Sequence, residues 1–225
     1  MSARLIRAGG IALLLAAALA CPAQARAVEA PPAAVREQAL ADLGSADAAV
    51  REQACARLGE SGGGEALPRL LAALREDPAA NVRRAAEQAI WRIWSRSGDA
   101  RTDREFEAGV AQMQAGELRE AARTFGRVID MQPGFAEGWN KRATVHCLLG
   151  ELERSLRDCD EVIRRNPDHF GVLAGYGQIH AQQGDLSEAL EYFERALAIN
   201  PNMDGVRASV EAIRRALAAQ RRRSI

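Results

Sequence analysis

The sequence has one lysine, Lys141, among 30 basic residues, with three histidines and ten aromatic side chains in 225 residues. A lone lysine leaves almost no material for a phosphate-binding loop or a Schiff base. The shortage of aromatics, set against 46 alanines, argues against a β-sandwich or barrel. Net charge is missing as well: 30 basic residues balance 30 acidic ones, so no long-range field marks a nucleic-acid partner. The apolar run Ala8–Ala20 covers 13 residues, short of the roughly 20 that a bilayer-crossing helix needs. What the sequence does have is alanine and ordinary charge, the composition of a helix-rich chain with a small-residue core.

The N-terminus has the form of a leader. Arg4 and Arg7 precede the apolar run, and Ala23-Gln24-Ala25 offers the small residues that a signal peptidase reads. Residues 1–25 are therefore expected to be a signal peptide, cleaved after Ala25, which places the mature chain in the periplasm or outside the cell. The alternative is anchoring through an uncleaved leader or lipidation at Cys21. Export leaves Cys55, Cys147 and Cys159, an odd number in an oxidising compartment. Cys147 and Cys159 fall on successive helices at unmatched levels, which disfavours a bridge, and buried thiols are the expected state.

Downstream of residue 100 the chain repeats itself with a period of 34. Gly116-Glu117-Leu118, Gly150-Glu151-Leu152 and Gly184-Asp185-Leu186 keep that interval, and so do Pro133, Pro167 and Pro201. In each unit the glycine closes one helix in the left-handed conformation and the acid sits by the next helix's N-terminal dipole. The proline then stops that second helix. Apolar residues between these marks recur at helical spacing, as in Leu118, Ala121, Phe125 and Val128. This pattern resembles the tetratricopeptide repeat family over residues 102–202, in units of about 102–134, 135–168 and 169–202. Gly177, Gly184, Ala189, Phe193, Ala196 and Pro201 match the motif in the third unit. Trp139, Gly150 and Pro167 match in the second, where Ser155, Cys159 and Val162 replace the usual alanine, aromatic and alanine. The first unit matches at Gly109, Gly116, Ala121, Phe125 and Pro133, with Glu105 where an aromatic is customary. A further amphipathic helix over 203–220 reads as a cap, followed by a basic tail over 221–225.

Residues 26–98 contain a different repetition. Val50-Arg51 and Val82-Arg83 are 32 residues apart, and each leads an alanine-rich helix, the second after an Asp77-Pro78 turn. The pattern is similar to HEAT and armadillo-like repeats, and a plain helical array would read much the same. The resemblance implies bracing roles for Arg51 and Arg83. All ten aromatics fall at or after Trp91, and Trp91 and Trp94 are expected to pack at the junction of the two halves. The resulting fold class is all-α: an α-solenoid of antiparallel helix pairs, HEAT-like and then tetratricopeptide-like, with a capping helix.

Catalytic chemistry is not written in the sequence. Gly59-Glu60-Ser61-Gly62-Gly63 has the letters of a nucleophile elbow but follows a helical run rather than a strand. His146, His169 and His180 lack metal-ligand spacing, and His146 and His180 fill one slot in successive units. No catalytic residue, metal or cofactor is expected. The resemblance implies a concave surface for an extended peptide or partner protein. It nominates Phe106, Val110, Met113 and Gln114 from the first unit, Asn140, Thr144 and Leu148 from the second, and Gln178 and Gln182 from the third. Chaperone-binding members of the family clamp a carboxylate with lysines, arginines and asparagines in this groove. Phe106 and Val110 stand at the leading positions here, so such a clamp is not expected. The reading is an exported, non-enzymatic interaction scaffold or adaptor without a nucleic-acid partner or a stable membrane span. The alternative is a regulatory or assembly subunit of an envelope enzyme, or less favourably a hydrolase using Ser61.

Overall fold

A computed structural model of the chain describes residues 33–223, and every regular element among them is helical. The expected leader, its cleavage site and Cys21 lie outside the described residues. The first half contains α1 (Ala33–Asp42), α2 (Ala48–Ser61), α3 (Leu67–Glu76) and α4 (Ala80–Trp94). Then come α5 (Ala100–Gln114), α6 (Leu118–Met131), α7 (Ala136–Leu148), α8 (Leu152–Arg165), α9 (Phe170–Gln183) and α10 (Leu186–Ile199). The last helix, α11 (Asp204–Arg223), takes in the start of the expected basic tail. No helix among the described residues is long and apolar enough to cross a membrane.

The punctuation read from the sequence is where the chain turns. Gly116, Gly150 and Gly184 have φ of +79°, +76° and +88°, the left-handed region that a side chain would strain. Asp47 and Asp99 cap α2 and α5 by accepting from the backbone N–H groups of Ala49 and Thr102.

Within each pair the helices approach through a matched small and large residue. A Cβ on Gly109 would lie 2.7 Å from the Phe125 ring, and one on Gly177 would lie 2.5 Å from Phe193. In the middle pair the same two positions hold Ala143 and Cys159, so a larger residue on one helix faces a smaller one on the other. The atypical Cys159 is therefore compensated in volume rather than a packing fault. Ser155 at the usual alanine site is buried and donates its hydroxyl to the Ala143 carbonyl at 2.8 Å. Glu105, in place of an aromatic, pairs with Arg127.

In the first half, α2 packs on α4, and the two Val-Arg positions do similar work. Arg51 forks onto Asp77 at 2.6 and 2.9 Å and also donates to the Ser45 and Ala46 carbonyls. Arg83 donates to the Asp77 and Pro78 carbonyls, and its Nε reaches Asn202 Oδ1 at 3.2 Å. Asn202, from the α10–α11 loop, thus takes the place for Arg83 that Asp77 takes for Arg51.

That contact belongs to a larger one. α4 runs across the loops that join successive pairs: Glu87 accepts from Asn200 at 2.9 Å, and Trp91 and Trp94 meet His169 and Phe170. Just beyond α4, the Ser97 carbonyl accepts from Gln132 at 2.9 Å. Phe170, Ile199 and Met203 accordingly belong to the apolar core of the first half. The tryptophans do fill a junction, but against the second and third pairs rather than the first pair, which follows them in the chain.

Candidate functional site

Consecutive first helices touch, α5 with α7 and α7 with α9, so their inner sides form one continuous face. The 34-residue interval puts nominated residues in rows across it: Phe106 and Asn140; Val110, Thr144 and Gln178; Gln114, Leu148 and Gln182. All three residues of the last row are exposed, and Leu148, at 51%, is one of two exposed large hydrophobic residues among those described. Val110, Met113, Thr144 and Gln178 are half-buried. Phe106 is not surface but core, 5% exposed with its ring against Phe125 and Phe135. Asn140 is half-buried and donates to Glu137 Oε1 at 3.0 Å, and the Thr144 hydroxyl donates to the Asn140 carbonyl.

At the N-terminal ends of α7 and α9 the face is closed by α4. A Cβ on Gly171 would lie 2.7 Å from the Trp91 ring, so only glycine lets the indole approach. Beneath it sits a buried polar cluster that the sequence reading missed. Glu137, whose side chain has no exposed surface, receives Lys141 Nζ at 3.1 Å on Oε1, where Asn140 also donates. His169, wholly buried, reaches Glu137 Oε2 at 3.1 Å. Its Nδ1 accepts from the Val172 backbone N–H at 3.1 Å, which fixes the proton on Nε2, aimed at Glu137. The imidazole stacks on Trp94 at 4.6 Å, and Lys141 Nζ lies 6.0 Å from the Trp91 ring centroid. Burial alone would push the Glu137 carboxyl up. The Lys141 charge and the hydrogen bonds from His169 and Asn140 outweigh it and hold the group well below the ordinary carboxylate range. The only lysine of the chain is thus engaged inside the fold, and the one sequence signal for this was its isolation.

The remaining candidates have local explanations. Ser61 ends α2, and its hydroxyl donates to the Arg57 carbonyl at 2.8 Å; it does not stand on a strand-to-helix turn. His146 pairs with Glu151 at 2.7 Å, and His180, in the equivalent slot, stacks with Tyr176 and Tyr192. Among the described residues no group of three His, Cys, Asp or Glu side chains converges as metal ligands. Cys55, Cys147 and Cys159 are free thiols. Burial pushes Cys55 and Cys159 up to about 12 and raises Cys147.

Residues 106–163 and 149–204 match the sequence model of the tetratricopeptide repeat family. A TPR repeat-containing protein of Rhizobium etli is 26% identical over 111 residues, which is 49% of this chain and 54% of that protein. The chain thus matches about half the length of this curated relative. Among solved structures, the first TPR of Spaghetti (RPAP3) bound to an HSP90 peptide, SRMEEVD, superposes with a TM-score of 0.51 at 22% identity. That likeness covers 53% of this chain and 96% of that one. The Sgt2 TPR domain from Aspergillus fumigatus gives 0.51 at 18% identity, covering 55% and 83%. The matched stretch, residues 106–204, runs from α5 to the start of α11 and is similar to tetratricopeptide repeats, in an all-helical fold.

Proposed function

We propose that this chain is an exported, non-enzymatic interaction scaffold whose repeats hold a peptide or partner protein on the face of α5, α7 and α9. The observation that carries the reading is the exposed row Gln114, Leu148 and Gln182, one residue per unit at the repeat interval, on a face made by touching first helices. A similar fold, the first TPR of RPAP3, was solved with a peptide bound. We further propose that α1 to α4 are HEAT-like pairs, supported by the parallel bracing of Arg51 by Asp77 and Arg83 by Asn202. On this reading α4 belongs to the scaffold, closing one side of the face so that a ligand lies toward the C-terminal halves of the first helices.

The face is tested by combined alanine substitution of Gln114, Gln178 and Gln182, followed by capture of partners from an envelope extract. Loss of the partner is expected, whereas unchanged capture places binding elsewhere. Export is tested separately by N-terminal sequencing of the protein recovered from the periplasm or medium. The expected first residue is Arg26, and retention of Met1 in a cytoplasmic fraction contradicts the leader.

A further inference from the structure

We propose that the occupant of this face is an uncharged, extended segment of a partner protein, with an aliphatic side chain seated on Leu148. This rests on the reading of the face just given. The chain as a whole is 27% charged, yet α9 has no Asp, Glu, Lys or Arg along its 14 residues. On α7 the charges are engaged within the fold: Glu137 with Lys141, and Arg142 in a two-pronged bond to Asp158 at 2.8 Å. The middle of the face is thus without an unpaired formal charge, with a hydroxyl at Thr144 and amides at Gln178 and Gln182 around the exposed Leu148. Formal charge stands around this patch, at Glu107 on α5, at Arg215 on α11 and in the turns that end α7 and α9, where Glu151 pairs with His146 and Arg154, and Asp185 lies 3.9 Å from His180.

Such a surface discriminates by desolvation. A charged ligand group laid over α7 and α9 loses water, and the carboxylates in the turns that end them, Glu151 and Asp185, already face His146, Arg154 and His180, whereas a neutral backbone finds amide donors and acceptors and an apolar side chain finds Leu148. Lys141, the one lysine that would attract a carboxylate, is turned into Glu137 and Trp91. The coverage of Gly171 and Glu137 by α4 leaves no room for a ligand at the N-terminal ends of these helices.

The test uses the full chain as bait for a displayed library of random peptides of about twelve residues. The selected pool is expected to be depleted about fourfold or more in Asp, Glu, Lys and Arg and enriched in aliphatic residues. Binding of the leading peptide should change less than about twofold between about 50 and about 500 mM salt, because no ion pair is screened. Leu148→Asp should weaken it by about tenfold or more, and Leu148→Asn should weaken it less, with the helical circular dichroism of both variants unchanged. Charged peptides whose binding depends on Leu148 would overturn the neutrality and leave the face intact. Uncharged peptides that bind Leu148→Asp equally well would overturn the face itself. An absence of enrichment, or a dimer that Leu148→Asp dissociates, would overturn the peptide occupant altogether.

Discussion

At the scale of single residues, the densest arrangement is Glu137 with Lys141, His169 and Asn140. Its carboxyl is held down to about 2, against about 4.3 in an unfolded chain. A depressed folded value means that the stabilisation is complete above about pH 4.3 and is lost as pH falls toward the folded value. Glu137→Gln should therefore flatten the fall in stability between about pH 5 and about pH 2, measured by urea melts across that range. Near neutral pH it should cost about 3 kcal/mol, because Lys141 loses its partner in a mostly buried place. An unchanged acid slope would remove the cluster from the account. The matched volumes of the helix pairs give a second prediction. Cys159→Phe alone should destabilise by about 1–3 kcal/mol, and adding Ala143→Gly should recover most of the loss, restoring the combination found at Gly109 with Phe125 and Gly177 with Phe193. A double-mutant cycle by chemical denaturation reads the coupling directly.

At the scale of elements, α4 is the helix on which both halves depend. Gly171→Ala places a methyl where the Trp91 ring now sits, on a residue outside the repeat core, and should cost about 1–3 kcal/mol. Trp94→Ala removes a ring stacked on His169 and packed on Phe170, and should cost about 3–5 kcal/mol. Thermal melts of both variants check these values, and a near-neutral Gly171→Ala would mean that α4 does not dock as described. The three thiols lie on three different helices and serve packing: Cys55 and Cys159 should resist a thiol reagent in the native protein and react only on unfolding.

At the scale of the whole molecule, the repeats were legible and the docking of α4 was not, for a physical reason. Turn glycines at positive φ and helix-stopping prolines are local requirements, so they leave marks at a fixed interval that a single sequence displays. The bonds from Arg83 to Asn202 and from Glu87 to Asn200 join residues more than 100 positions apart and have no periodicity to betray them. Trp91 and Trp94 could be read as junction residues but not assigned to the second and third units. The nominated face was legible in its register, since Gln114, Leu148 and Gln182 are exposed together. Phe106 and Asn140 were harder, because period alone does not say that one turns into the core and the other binds a buried carboxylate. Since α4 shares its core with Phe170, Ile199 and Met203, the described residues should unfold in one transition.

The central claim is that partners are held by the first helices, and site-specific photo-crosslinking tests it most directly. A photoreactive side chain is placed in the full chain at Gln114, Leu148 or Gln182, and for comparison at Arg123, Arg157 or Glu191. The comparison row is exposed at the same interval on the second helices. Crosslinks to a partner from the first row and not from the second are the predicted result. Equal or stronger capture from Arg123, Arg157 and Glu191 would contradict the account.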